Sequence, residues 1–234
     1  MFQLRKADQR GHSQIEWLDS HHSFSFSNYY DPEHMGWGPL RVINDDTVAP
    51  AAGFPTHSHR DMEIISYVLE GRLQHKDTIG TGSVIRPGDV QLMEAGRGIA
   101  HSEFNASDKE AVHFLQIWIM PDRVGLAPSY QQTYFADAEK RGKFRLIVSP
   151  DGGNDSLRIQ QDVRLYSALL DGAENLEWPQ DAARKAYVHV ARGSVTVNGI
   201  TLHSGDGLRI ADEPELKFTD GREAEVLLFD LPDN

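Results

Sequence analysis

Two short motifs in the first half of the chain combine histidine and carboxylate side chains at a spacing of two residues. His57 and His59 flank one serine, and His101 and Glu103 flank another. In a β-strand, residues i and i+2 point to the same face, about 6.8 Å apart along the strand. Each pair can therefore present two ligands on one face. If the two strands are neighbours, all four side chains can converge on one ion.

The donor set of these motifs is three neutral imidazole nitrogens and one anionic carboxylate oxygen. Such a set suits Fe, Mn, Ni, Cu or Zn, and two coordination positions can stay open for a reactant. A divalent ion held this way keeps a net charge of about +1, which favours an anionic oxygen donor. A lone His-x-His pair is more often accidental surface chemistry. Spacing alone therefore leaves a metal site and an accidental pair as alternatives.

Composition limits the classes of protein and of site. The 234 residues include 11 histidines and no cysteine, which excludes disulfides, thiolate nucleophiles, zinc–sulfur sites and iron–sulfur clusters. The formal net charge of −12 would repel a polyanion, so we expect no nucleic-acid partner. No apolar run approaches the roughly 18 residues of a membrane span, and the polar N-terminus has no secretory-type segment. We expect a cytoplasmic monomer with no membrane partner.

Short strands separated by Gly, Pro and Asp turns follow one another along most of the chain. This pattern is typical of an all-β sandwich or barrel with few short helices. Strands are predicted at 62–69, 72–79, 83–85, 90–93, 112–120, 144–149, 163–170, 186–191, 194–197, 207–210 and 223–231. The strand at 112–120 is apolar on both faces and is expected to be buried on both.

The character of the sequence changes after residue 120. The following segment is polar, contains Pro121 and Pro128, and has one short helical stretch. We predict an N-terminal barrel over residues 1–122, a linker over 123–143 and a C-terminal barrel over 144–234.

The two halves carry a weak internal repeat. Residues 67–73 (YVLEGRL) are similar to residues 189–195 (HVARGSV), and each segment is followed by a Gly-Asp turn. Repeated β-units of this kind suggest a duplicated barrel.

Several longer motifs surround the candidate ligands. They are residues 21–26 (HHSFSF), 28–31 (NYYD), 40–45 (LRVIND), 57–65 (HSHRDMEII) and 96–103 (GRGIAHSE). Through these motifs the chain resembles the pirin family of the cupin superfamily, whose bacterial members include quercetin 2,3-dioxygenases. The resemblance covers residues from about 5 to 120, and the C-terminal half resembles the family only loosely.

The resemblance implies a bicupin, with two tandem cupin-type barrels and one divalent transition-metal ion. It places that ion on His57, His59, His101 and Glu103. Iron is the first choice, and Mn, Ni, Cu and Zn are alternatives. The usual cupin carboxylate of the first motif would be Glu63, but in pirins the carboxylate comes from the second motif. Glu63 is accordingly expected to be a polar neighbour of the site.

The second barrel is expected to have no metal site. Thirteen residues separate Gly88 from His101, and the same step from Gly205 reaches Phe218, which cannot bind a metal. The C-terminal half also contains no His-x-His pair.

The implied activity is a metal-dependent dioxygenase that opens the central ring of flavonols such as quercetin with release of carbon monoxide. Its partners would be a phenolic or flavonol substrate and dioxygen, with Glu103 as the catalytic general base. One alternative is a non-enzymatic, metal- or redox-sensing protein-binding module related to pirin. Another is that a different small enol or phenol is the natural substrate.

The remaining histidines receive structural interpretations. We expect His21 and His22 to be structural. We expect His75 to face solvent, with lining a cavity as the alternative, and His113 to be packed and hydrogen-bonded rather than a fifth ligand.

Other residues are candidates for supporting roles at the site. Arg60 and Asp61 are expected to form an ion pair that orients the first ligand pair. The candidates to line an apolar pocket, with ordinary core as the alternative, are Phe54, Met62, Met93 and Trp118.

Overall fold

The computed structural model describes residues 1–233, and this part of the chain is almost entirely β-structure. Eighteen strands form two nine-stranded sheets. Within the same residues, helical structure is confined to α1 (Asp137–Lys140) and two single 3₁₀ turns, Ala7–Gln9 and Gly153–Asp155. The predicted all-β class with few short helices is confirmed.

The first sheet contains most of the N-terminal half. Its strands are β2 (Gly11–Gln14), β3 (Leu18–His22), β4 (Leu40–Val48), β5 (Gly53–Glu70), β6 (Leu73–Asp77), β7 (Gly82–Ile85), β8 (Asp89–Asn105), β9 (Val112–Ile119) and β10 (Ser129–Tyr134). They run in the order β2-β3-β4-β9-β5-β8-β6-β7, with β10 also paired to β8.

The second sheet contains the C-terminal half and the first strand of the chain. Its strands are β1 (Phe2–Arg5), β11 (Arg145–Ser149), β12 (Leu157–Arg158), β13 (Arg164–Leu170), β14 (Leu176–Pro179), β15 (Arg184–Val197), β16 (Ile200–His203), β17 (Gly207–Ile210) and β18 (Glu215–Pro232). The order is β1-β17-β15-β18-β13-β11-β12, with β14 on β18 and β16 on β15.

Strand pairing differs from the predicted boundaries at two places. β1 lies within the predicted N-terminal barrel but pairs with β17, because Phe2 and Leu4 pack against the apolar core of the second sheet. β10 lies within the predicted linker but extends the first sheet beside β8. The segment between the halves is therefore partly ordered by sheet pairing.

The apolar core between the two sheets joins the halves. Ile65, Ile117 and Tyr67 from the first sheet pack in one cluster with Leu227 and Phe229 from the second. Full burial of one such side chain contributes about 1.5–3 kcal/mol. Large apolar residues on both faces of β9 are buried, as its sequence predicts.

The interior of the second sheet has its own apolar core. Phe218 is fully buried there among valine and leucine side chains such as Val188, Val195 and Leu228. The position that corresponds by spacing to His101 is thus a core phenylalanine. No helix in residues 1–233 is both long and apolar enough to cross a membrane.

The internal repeat has a structural counterpart at two glycines. Gly71 has a φ of 75° and Gly193 a φ of 67°, a region that favours glycine. A Cβ at Gly71 would lie 2.5 Å from the carbonyl oxygen of Ala111, and one at Gly193 would lie 2.2 Å from that of Arg222. Both positions therefore require glycine for two independent reasons.

A polar group spans the two sheets inside the shared core. The Tyr67 hydroxyl donates a hydrogen bond of 2.5 Å to Glu225 and lies 2.9 Å from the Ser167 hydroxyl. Burial, and then the Glu225 carboxylate, raise the pKa of Tyr67 well above its usual value. The phenol therefore stays protonated and can act as the donor across the sheets.

Glu63 faces the same core but has no hydrogen-bond partner comparable to those of Tyr67. It follows the i, i+2 pattern of Ile65 and Tyr67 on β5 and is completely buried, and its carboxyl oxygens have no hydrogen-bond partner of good geometry. Burial first, and then the neighbouring Glu94, raise the pKa of Glu63 to about 8, which the backbone of Gln160 opposes only in part. The fold favours the protonated acid.

We expect Glu63→Gln to stabilise the protein by about 2–4 kcal/mol at pH 8 and to have little effect near pH 4. The folded pKa, about 8, lies above the ordinary value of 4.5. The protonated acid thus contributes stability that is present below pH 4.5 and lost as the pH rises toward 8. Urea unfolding across this pH range measures the effect.

The exposed Glu16→Gln serves as the matched control for this charge removal. It should shift the urea midpoint little at any pH. A Glu63→Gln effect that is independent of pH would contradict the prediction.

Candidate metal centre

The antiparallel pairing of β5 with β8 brings the two predicted ligand motifs together. His57 lies directly opposite His101, and Phe54 lies opposite Glu103. The two strands are thus neighbours, as convergence on one ion requires. Register shifts between Phe54 and His57, and between His59 and Asp61, bend this part of the ladder.

Three imidazoles form the centre of the site. The ring centroids are 4.8 Å apart for His57 and His59, 4.5 Å for His57 and His101, and 4.9 Å for His59 and His101. One ligand nitrogen from each ring lies within 4.8 Å of the other two. The Nε2 atoms of His57 and His101 are only 3.1 Å apart.

The backbone determines which nitrogen of His57 is available as a ligand. Its Nδ1 lies 2.8 Å from the carbonyl oxygen of Pro55. A carbonyl oxygen only accepts, so in the neutral ring Nδ1 carries the hydrogen and Nε2 carries the lone pair. That lone pair faces the other two imidazoles, which suits a cation between the rings.

Burial keeps the imidazoles of His59 and His101 neutral. It lowers the pKa of His59 to about 4, with further lowering from His101 and then His57. Burial likewise lowers the pKa of His101 to about 3, with contributions from His57 and His75. At neutral pH both rings are therefore unprotonated, which is the form that binds a metal.

Glu103 lies beside the histidines but is not equidistant from them. It is buried, and its Oε2 is 4.0 Å from Nε2 of His101. One carboxylate oxygen of Glu103 and one nitrogen each of His75 and His101 lie within 4.8 Å of one another. The nitrogens of His57, His59 and His101 form a second such group. His101 is thus the residue shared by both groups.

Two polar side chains hold the Glu103 carboxylate. The Ser66 hydroxyl donates to Oε1 at 3.2 Å, and the Gln116 amide donates to Oε2 at 2.7 Å. Neither Ser66 nor Gln116 is among the site residues predicted from the sequence. The available signal was a polar residue inside an apolar run of each strand, Ser66 within residues 64–69 of β5 and Gln116 within residues 114–119 of β9.

Glu63 lies on the opposite side of β5 from the site. Asp61 adopts a left-handed conformation with a φ of 62°, which interrupts the regular alternation of the strand. Beyond it, Ile64 and Ser66 point inward, while Glu63 and Ile65 point to the core between the sheets. Glu63 is therefore not a polar neighbour of the candidate ligands.

A mainly apolar cavity of about 380 Å³ opens beside the histidines. Phe26, Phe54 and Trp118 form its aromatic walls, and Glu103 and Gln116 also line it. The predicted wall residues Phe54 and Trp118 are confirmed. Concave, apolar sites with a few convergent polar groups are typical of small-molecule binding.

The other two predicted wall residues lie elsewhere. Met62 lines an adjoining cavity of about 350 Å³ with Trp118. Met93 is completely buried in the core with Ile64, so the alternative of ordinary core is the correct one there.

A larger cavity of about 520 Å³ lies between the two sheets, away from the histidines. Its walls are charged, and Glu225 there lies 3.9 Å from Lys140 and 3.8 Å from Arg192. The apolar cavity at the histidines therefore fits an aromatic ligand better.

The prediction that His75 faces solvent is wrong. β6 pairs with β8 so that His75 lies opposite Glu103, and the imidazole is completely buried. Its Nε2 lies 2.8 Å from Asp77. The local signal was the i, i+2 alternation of Leu73, His75 and Asp77, which places all three on one face.

The expected ion pair between Arg60 and Asp61 is also absent from the ion pairs formed by residues 1–233. Instead, Asp61 accepts a hydrogen bond of 2.7 Å from the backbone amide of Gly125. The left-handed conformation of Asp61 redirects its side chain away from the ladder.

The structural interpretations of three histidines agree with their contacts. His113 lies 2.6 Å from Asp45, and Nδ1 of His22 lies 2.8 Å from the amide oxygen of Asn44. His21 stacks on His12 with ring centroids 4.4 Å apart.

Comparison with known families covers both halves of the chain. Residues 3–119 match the family model described as Pirin, and residues 146–231 match the one described as Quercetinase C-terminal cupin domain. The two matches correspond to the two sheets.

Individual relatives match over nearly the whole chain. The chain is 47% identical over 232 residues to a quercetin 2,3-dioxygenase of Escherichia coli K12, covering 99% of each protein. It is 41% identical over 231 residues to a pirin-like protein of Caulobacter vibrioides, covering 98% of this chain and 99% of that one. The bacterial pirin YhhW of Escherichia coli, solved in complex with nickel(II), has a TM-score of 0.95 at 46% identity over 100% of both chains. The chain therefore belongs to the pirin family of the cupin superfamily.

Proposed function

We propose that the protein is a quercetin 2,3-dioxygenase that uses one divalent transition-metal ion held by His57, His59, His101 and Glu103. The observation that carries this proposal is the cluster of three imidazoles at the wall of an apolar, aromatic-lined cavity. A relative named quercetin 2,3-dioxygenase and a solved relative in complex with nickel(II) support it. Iron remains the first candidate for the native ion, with Mn, Ni, Cu and Zn as alternatives.

The donor set fits such an ion. The lone pair on Nε2 of His57 faces Nε2 of His101 at 3.1 Å, an arrangement that a shared cation stabilises. When bound, the ion supplies Lewis acidity that favours the deprotonated form of a hydroxyl group on the substrate. The overall reaction consumes the flavonol and one dioxygen, opens the central ring and releases carbon monoxide.

The aromatic walls position the substrate. Phe26 and Phe54 offer apolar surface to a flat flavonol, and Trp118 closes the side next to His59, with ring centroids 5.0 Å apart. The Trp118 indole donates to the Gln116 amide oxygen at 3.3 Å, so the wall is connected to the group that holds Glu103. This packing excludes water from the reacting part of the substrate.

Glu103 accepts the proton of the flavonol 3-hydroxyl. Its carboxylate is held by the Ser66 hydroxyl and the Gln116 amide, which orient both oxygens and stabilise the anion. Because Glu103 also lines the cavity, a substrate hydroxyl can reach it.

Aerobic incubation of metal-loaded protein with quercetin tests the activity directly. We expect loss of quercetin together with stoichiometric carbon monoxide for at least one of the five metals. Absence of substrate loss with all five would overturn the enzymatic proposal.

We expect His57→Ala to abolish metal retention and quercetin turnover while lowering Tm by only about 2–4 °C. The imidazole is a ligand but contributes little to the core, because it is only half-buried. Elemental analysis of protein purified without added metal, with thermal melting by circular dichroism, measures both quantities.

His203→Ala is the matched control, since His203 is exposed in the second sheet. It should keep the wild-type metal content and activity. Full metal content in His57→Ala, or its global unfolding, would contradict the prediction.

We expect Glu103→Gln to lower kcat about 10²- to 10⁴-fold while retaining some metal, because the amide cannot accept the proton. Steady-state kinetics at measured metal occupancy gives the effect per loaded site. Glu94→Gln is the control, because Glu94 is on the same strand and pairs with Glu63 on the side away from the site. Full activity of Glu103→Gln would rule out the base role.

A further inference from the structure

A buried chain of three side chains approaches the candidate metal centre from the side away from the cavity. Nε2 of His75 lies 2.8 Å from Oδ2 of Asp77, and Nδ1 of His75 lies 3.4 Å from Nδ1 of His101. The side chains of His75 and Asp77 are completely buried. No step of the proposed reaction uses either residue.

The contacts of Asp77 determine the directions of these hydrogen bonds. The backbone amides of Ile79 and Thr81 donate to Oδ1 of Asp77 at 3.0 and 2.9 Å, which leaves Oδ2 to accept from His75. Nε2 of His75 therefore carries the hydrogen, and its Nδ1 carries the lone pair. That lone pair accepts from Nδ1–H of His101.

The hydrogen bond from His101 to His75 determines which nitrogen of His101 faces the metal centre with a lone pair. With its hydrogen on Nδ1, a neutral His101 has its lone pair on Nε2, the atom 3.1 Å from Nε2 of His57. The same outcome is reached independently at His57, where the carbonyl of Pro55 holds the Nδ1 hydrogen. Both rings thus present a lone pair to the same point in space.

We infer that His75 and Asp77 are positioning residues that hold His101 in the tautomer able to bind the metal through Nε2. This inference rests on the metal site of the proposed function. Ligating histidines typically donate their second N–H to a fixed acceptor, and loss of that acceptor costs about 10- to 100-fold in metal affinity. Here the acceptor is another imidazole, itself oriented by a carboxylate.

Direct ligation by His75 is the competing interpretation. Its ligand nitrogen does group with those of His101 and Glu103 within 4.8 Å. The contact between the two rings, however, joins Nδ1 of His75 to Nδ1 of His101 at 3.4 Å, whereas Nε2 of His101 is the atom that faces His57. An ion held between the two Nδ1 atoms would not use that Nε2 atom. The hydrogen-bonded relay from Asp77 through His75 to His101 instead gives both nitrogens of each imidazole a partner.

Asp77→Asn is the decisive substitution because it reverses the relay without changing its size. The Asn oxygen would take the position that accepts from Ile79 and Thr81, leaving the amide NH₂ to donate to Nε2 of His75. His75 would then carry its hydrogen on Nδ1, and His101 would have to move its own to Nε2. We expect nickel(II) affinity to fall about 10- to 100-fold.

Asp45→Asn is the matched control, since Asp45 lies 2.6 Å from His113 in the same sheet but contacts no candidate ligand. Its nickel(II) affinity should stay within about threefold of wild type. Competition with a chelator, using the full chain, measures both variants. Equal affinities for Asp77→Asn and Asp45→Asn would overturn the inference.

Substitutions of His75 separate positioning from ligation. Gln at this position can donate to Asp77 and accept from His101, so His75→Gln should keep nickel(II) affinity within about threefold of wild type. His75→Leu should weaken binding as Asp77→Asn does. X-ray absorption should find the same number of imidazole ligands in wild type and His75→Gln, and one fewer in the variant would establish ligation instead.

Nitrogen-15 NMR of the histidines in metal-free, full-length protein reads the tautomer directly. We expect His101 to carry its hydrogen on Nδ1 in wild type and on Nε2 in Asp77→Asn. A wild-type His101 with its hydrogen on Nε2 would overturn the relay alone. Wild-type protein that takes up no nickel(II) would instead overturn the metal site. Normal nickel(II) binding without quercetin turnover by any of the five metals would overturn the enzymatic proposal and leave the relay intact.

Discussion

The antiparallel register between β5 and β8 is the constraint on which the candidate metal centre depends. It places His57 opposite His101 and Phe54 opposite Glu103, so one pairing brings together the imidazoles, the carboxylate and an aromatic wall. A slip of one residue would turn each side chain on one strand to the other face. The apolar residues on both faces of these strands oppose such a slip, because it would unpack two cores at once.

Burial on both faces of β5 also explains where polar groups are tolerated. On the inner face, Ser66 is satisfied by Glu103, and on the outer face Tyr67 is satisfied by Glu225. Glu63 has no comparable partner, and the fold accommodates it as a neutral acid with a pKa of about 8. The left-handed conformation of Asp61 changes which residues of β5 point inward. Before it these are His57 and His59, and after it they are Ile64 and Ser66.

The electrostatics of the site favour neutral imidazoles with their lone pairs already oriented. Burial and mutual proximity lower the pKa values of His59 and His101, which prevents protonation from competing with a metal. Fixed acceptors, the Pro55 carbonyl at His57 and His75 at His101, determine which nitrogen is free. The imidazoles are thus oriented before the ion binds, which is a form of preorganisation.

Features that depend on neighbours along the chain can be predicted from the amino-acid sequence. The i, i+2 spacing predicts both candidate ligand pairs, the alternation of residues 112–120 predicts a strand buried on two faces, and the turn residues indicate the all-β class. The adjacency of strands could not be predicted in this way, because sheet pairing joins residues that are far apart in sequence. That pairing placed β1 in the second sheet, supplied Ser66 and Gln116 to Glu103, and buried His75 behind His101 rather than in solvent.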